Sequence, residues 1–154
     1  MKGFENFSPR RIVLDKNLEI KLNSYIFKSA NKNNTIIFHN SSNNRKIKIL
    51  KRKGITLIKF KVDNKKLFNL KTILKKLFVL GVRNLLVEGG DKITKNLIQN
   101  RLIDKFYLFK SPKNLLISKE HMKFTSFNTL NTKYKIKTRI SPKLAKDNIT
   151  IYKR

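Results

Sequence analysis

Only nine carboxylate side chains stand against 37 lysines and arginines in this 154-residue chain, so each acid can be weighed for chemistry. Glu5, Glu19, Asp63, Asp104, Glu120 and Asp147 read as surface or turn residues, and Asp15 as the residue that ends a first strand. Glu88 differs. It closes the apolar run Leu85-Leu86-Val87 and is followed by Gly89-Gly90-Asp91, after which Ile93, Leu97, Ile98 and Leu102 recur at helical spacing. The stretch therefore reads as strand, glycine turn and helix. Glycines let a backbone approach a ligand closely, and the free N–H groups and positive dipole end of a helix start favour an anion. A carboxylate at the carboxyl end of the strand is placed to contact whatever carries that anion. The bland alternative is an ordinary turn, with Glu88 accepting backbone N–H bonds from it. Spacing alone leaves both open.

Several chemistries are excluded. Cysteine is absent, which removes disulfides, thiolate nucleophiles and cysteine-based zinc sites together. His39 and His121, the two histidines, have no spacing suggestive of a metal site and read as surface residues. The chain has no G-x-S-x-G, no Walker-type G-K-[ST] and no G-x-G-x-x-G. A self-contained hydrolase or zinc enzyme is not expected.

The formal charge of +28 is the footprint of a nucleic-acid binder, but its distribution argues otherwise. Lysines are scattered through every segment and accompany abundant asparagine and isoleucine, with Ala30 and Ala145 the two alanines. This is the signature of a composition bias, and the attraction to nucleic acid it implies is non-specific. No secretory signal and no membrane-length apolar stretch is visible, so a cytoplasmic protein without membrane contact is expected.

The elements that must position Glu88 follow from periodicity. Arg11 to Leu14, Thr35 to Phe38, Ile55 to Phe60 and Asn84 to Val87 read as four strands. Leu70, Ile73, Leu74, Leu77 and Phe78 make one apolar face of a helix over Leu67 to Leu80, stopped by Gly81, and a second helix spans Lys92 to Leu102. Strand, helix, strand, helix implies parallel strands with right-handed crossovers. A fifth strand, Asp104 to Phe109, precedes a hairpin of Tyr134 to Ile140 and Ile149 to Lys153 across the turn-rich Ser141 to Asn148. The asparagine-rich stretches Asn31 to Asn34 and Asn40 to Asn44 read as loops. The expectation is a single α/β domain over residues 1–154: a mixed sheet, its parallel core flanked by helices, with an antiparallel hairpin at the C-terminal edge.

Val82-Arg83-Asn84-Leu85-Leu86-Val87-Glu88-Gly89-Gly90, continuing through Leu102-Ile103-Asp104-Lys105 to Ser111-Pro112-Lys113, resembles the reductase domain of the riboflavin-biosynthesis deaminase-reductases of RibD type. Ser8-Pro9-Arg10-Arg11-Ile12-Val13-Leu14-Asp15 is similar to that family's earlier P-x-R-[IV]-V-[LI]-D segment, and the final hairpin is similar too. The resemblance implies a dihydrofolate-reductase-like fold and NADPH-dependent reduction of the ribosyl group of 5-amino-6-(5-phosphoribosylamino)uracil to ribityl. It implies a substrate contact for Glu88. For the glycine turn and helix start, Gly89, Gly90, Asp91, Lys92, Ile93 and Thr94, it implies contact with NADPH phosphate. Lys16 stands where the family often has a small hydroxyl residue, and Asn114-Leu115-Leu116 replaces its usual glycines. The family's opening strand, loop and helix have no counterpart here, so an incomplete reductase domain is expected, with an uncovered sheet edge that invites a second copy or another chain. A non-catalytic assembly module and a basic nucleic-acid-binding domain are the competing readings.

Overall fold

A computed structural model describes residues 9–31, 34–111, 124–140 and 148–154. The chain divides into two compact units, residues 1–69 and 70–154.

The first unit is built on three parallel strands, β1 (Arg11–Leu14), β2 (Thr35–His39) and β3 (Thr56–Lys59), in the order β1-β2-β3. Val13, Ile37 and Leu57 stand side by side across them. β2 has a neighbour on each edge and is buried along its whole length, which is why Thr-Ile-Ile-Phe can be apolar on both faces. Parallel strands need crossovers, and these are the short helix α1 (Tyr25–Lys28) before β2 and α2 (Asn44–Arg52) before β3. Ser24 Oγ caps α1 by accepting from the Phe27 N–H, and Asn43 Oδ1 caps α2 by accepting from the Lys46 N–H. The Asn40 to Asn44 loop thus ends as a helix cap. Leu18, Ala30, Ile37, Leu50 and Ile55 form the core, with Val13, Phe27 and Ile47 packed against it. Phe38 meets the edge of Phe60, whose ring in turn lies near Phe68, at centroid separations of 5.6 and 6.5 Å.

The second unit opens with α3 (Leu70–Val79), whose Leu70, Ile73 and Leu77 are buried as the apolar spacing predicts. Phe78 departs from that face: it is exposed, and the Arg83 guanidinium lies 4.2 Å from its ring centroid. Gly81 ends the helix at φ +85°. Its N–H donates to the Phe78 carbonyl while the Val82 N–H donates to the Leu77 carbonyl, a paired closure that needs left-handed backbone. α4 (Asp91–Gln99) closes the same way, with Arg101 N–H on Ile98 and Leu102 N–H on Leu97, but there the left-handed residue is Arg101 at φ +52°. The sheet that follows is antiparallel: β4 (Lys105–Lys110), β5 (Ile136–Ile140) and β6 (Asn148–Lys153) in the order β4-β6-β5. The expected hairpin is therefore present as the β5–β6 pair; Pro112, His121 and the hairpin connection at 141–147 lie outside the described residues. Ile98, Leu130, Tyr134 and Tyr152 form this unit's core, with Phe106 and Leu108 of β4 against it. The two phenols are satisfied where they are buried: Tyr134 accepts from the Ile103 N–H and Tyr152 donates to Asn131. Helix α5 (Phe127–Lys133) was not legible in Phe-Asn-Thr-Leu-Asn-Thr-Lys, since asparagine and threonine are poor helix formers; burial of Leu130 holds it.

The parallel core and the antiparallel hairpin of the α/β fold are both present, as two three-stranded sheets. One expected strand is not. Residues 82–90 contain no regular element, and Leu85, Leu86 and Val87 are 40%, 81% and 44% exposed. The run has strand composition but no neighbour to pair with among the described residues, and without a partner its backbone groups stay with water.

Candidate phosphate-binding turn and helix start

The glycine turn joins residues 82–88 to α4. Gly90 is the residue before the helix, at φ −70° and ψ 173°, and supplies no side-chain cap. Its carbonyl accepts from the Ile93 and Thr94 N–H groups at 3.1 and 3.2 Å, which begins the helical ladder. The leading N–H groups of α4 thus point outward without a serine or aspartate oxygen over them. Gly89 is close-packed: a Cβ there would lie 3.3 Å from Cβ and Cγ2 of Ile93. A glycine at this position lets the chain pass tightly over the first turn of α4. Glu88, Gly89, Gly90 and Lys92 are exposed, while Ile93 and Thr94 are half-buried. The Thr94 hydroxyl reaches the Gly89 carbonyl at 3.5 Å.

Asp91 does something that spacing did not reveal. Its carboxylate accepts from the Thr125 hydroxyl at 2.7 Å, the Thr125 N–H at 3.1 Å and the Ser126 hydroxyl at 3.4 Å. The Thr125 hydroxyl bond chiefly holds its pKa below the ordinary carboxylate value, with further lowering from the Thr125 N–H, Ser126 and the charge of Lys95 against an opposing desolvation. The first turn of α4 is therefore fastened to the start of α5. No sequence signal pairs Asp91 with residues more than thirty positions away.

Two further residues settle differently. Asp15 caps a turn: its two carboxylate oxygens accept from the Glu19 and Ile20 N–H groups, each at 2.8 Å, which is the turn role expected of it. His39 is not a surface residue. It closes β2 at 3% exposure, and its Nδ1 has no hydrogen-bond partner. Burial lowers its pKa below the usual histidine value, the Ser41 backbone opposes this, and the charge of Lys59 adds to the lowering. The ring belongs to the packing of the parallel sheet because β2 is buried to its last residue. Among the described residues no three acidic or histidine side chains gather as a metal site, and no helix is long and apolar enough to cross a membrane.

Comparison with known proteins converges on one family. The family model described as the RibD C-terminal domain matches residues 1–136. The riboflavin biosynthesis protein RibD of Aquifex aeolicus (strain VF5) is 33% identical over 105 residues, and that of Actinobacillus pleuropneumoniae is 27% identical over the same length. Each match covers 68% of this chain and 28% of the relative, so the chain spans under a third of the relatives' length. Among solved structures, Acinetobacter baumannii RibD superimposes with a TM-score of 0.69 at 18% identity, covering 94% of this chain and 37% of that one. A pyrimidine reductase-like protein from Corynebacterium diphtheriae superimposes at 0.65 with 16% identity, covering 99% and 67%. These likenesses carry the α/β fold, and the matched family carries the ancestry.

Proposed function

The chain belongs to the RibD C-terminal domain family, and from that premise we propose that it carries part of the site of an NADPH-dependent pyrimidine reductase of riboflavin biosynthesis. The substrate is 5-amino-6-(5-phosphoribosylamino)uracil, whose ribosyl group becomes ribityl. One observation carries the reading: a helix start preceded by two exposed glycines and left without a side-chain cap, immediately after an exposed carboxylate. A phosphate of the cofactor fits that geometry. The outward N–H groups of Asp91 and Lys92 donate to it, the Lys92 ammonium adds charge, and Gly89 and Gly90 leave room for its oxygens. Ile93 and Thr94 form the floor of the turn. NADPH, when bound, supplies a hydride to the sugar carbon. The protein's part is to hold substrate and cofactor in register, a contribution that orientation alone makes large. Glu88 accepts hydrogen bonds from the substrate, and Asp91 keeps the helix start fixed to α5.

A second reading has its own observation. The exposed Leu85-Leu86-Val87 run has the composition of a paired strand, and a chain using it to associate with a second copy or another protein would be a non-catalytic assembly module. Titration of NADPH into the purified chain at moderate salt separates the two. Saturable binding that Gly90→Asp abolishes, by setting a carboxylate where the phosphate sits, supports the reductase. Mass that rises with concentration, without NADPH binding, supports assembly. Binding to any polyanion with steep salt dependence returns the chain to a basic nucleic-acid binder.

A further inference from the structure

A hollow lies at the opposite end of α4 from the glycine turn. Where that helix ends, beside the α5–β5 connection and the last residues of the chain, lies a hollow of about 260 Å³ whose eight lining residues include Arg101, Lys133, Lys135, Lys153 and Arg154. Lysine and arginine make up 37 of 154 residues, so two cations are what chance would place there; five are present, and no Asp or Glu side chain lines it. Lys133 is already engaged, its ammonium donating to the Gln99 carbonyl at the end of α4, where a cation offsets the negative end of the helix dipole. Arg101, Lys135, Lys153 and Arg154 remain for a ligand.

Backbone conformation gives an independent reason to single out Arg101. α3 and α4 end in the same paired closure, with glycine at the left-handed position of one and arginine at that of the other. Left-handed backbone is unfavourable for a residue with a Cβ, and Arg101, which adopts it as Leu18 and Lys66 do elsewhere, is among the residues lining the hollow. The volume falls below the roughly 300–1,000 Å³ of sites that enclose organic ligands, and Tyr134 and Ile136 are the apolar residues among its lining. A compact, highly charged group fits; a base with its ribose does not.

We propose that this hollow binds a di- or triphosphate group, either inorganic or as the exposed polyphosphate end of a nucleotide. It is separate from the glycine turn, which lies at the other end of α4. The test is calorimetric titration of sodium tripolyphosphate into the full chain at about 0.15 M salt, where diffuse attraction is screened. Saturable one-to-one binding is expected. Arg101→Gly, which suits the left-handed backbone and so keeps the fold, should weaken it roughly tenfold through loss of a charge-assisted bond. Lys135→Gln with Lys153→Gln should weaken it at least as much. Lys71→Gln with Lys75→Gln, an equal charge change on the exposed side of α3, should leave it unchanged. Competition by ATP identifies a nucleotide as the source, and failure of ATP to compete identifies an inorganic polyphosphate. The site is overturned by the absence of saturable binding, by equal weakening in the α3 control, or by an oligonucleotide binding as well with a steep salt slope.

Discussion

Thr35-Ile36-Ile37-Phe38 and Asn84-Leu85-Leu86-Val87 have the same apolar signature and opposite fates. The first is the central strand of a parallel sheet, with Ile37 and Phe38 fully buried between β1 and β3. The second has no strand partner among the described residues, and its Leu86 is the most exposed of its three apolar residues. Strand character is a property of the available edges as much as of the run itself. A central strand obtains burial on two faces and hydrogen bonds on two edges; the same composition without neighbours obtains neither.

Substitutions can break this contrast. Phe38→Ala should be the most damaging, at about 3–5 kcal/mol for a buried aromatic deleted from a packed core, measured by urea denaturation. Acidification comes next, because the burial of β2 runs through His39. With its folded pKa lowered, the imidazole is neutral in the fold and takes up a proton more readily when unfolded. Its contribution is whole above the unfolded value of 6.5 and falls as pH drops through that value towards the lower folded one. The urea midpoint should decline over that window, and His39→Gln should flatten the decline. Leu86→Ala should have the smallest effect, within about 0.5 kcal/mol, as for surface positions generally. A loss as large as that of Phe38→Ala would show that residues 84–87 are covered in solution, and would restore the strand expected from their composition.

What could be read in the residues divides along the same line. β1, β2, β3, α3, the turn into α4 and the final hairpin were legible because each is a local run whose period or punctuation agrees with its burial: Gly81 stops α3, and Ile136 to Ile140 pairs with Ile149 to Lys153. Helices α1 and α2 were also not read, though each is local and capped by its own Ser24 or Asn43; three further misses are long-range. His39 is buried at the end of β2, where Lys59 of β3 is its strand partner, Asp91 is fixed by Thr125 and Ser126, and α5 forms because Leu130 finds Ile98 and Tyr152. Residues 82–90 fail for the converse reason, since a run can promise a strand but cannot supply its neighbour. Around the candidate turn, the glycines and the helix start were legible from spacing; the strand expected to end at Glu88 is absent, and the latch of Asp91 to Thr125 and Ser126 gave no signal.

The backbone of residues 83–88, without a strand partner among the described residues, also bears on how long the molecule survives. Endopeptidases grip substrates edge to edge as an added strand, and a leucine-rich stretch with no strand partner among the described residues requires no unpairing from them before it enters such a cleft. A nick between Leu85 and Leu86 would cut the unit of residues 70–154 between α3 and α4. Whatever comes to pair with this backbone therefore sets the turnover of the chain as well as its shape.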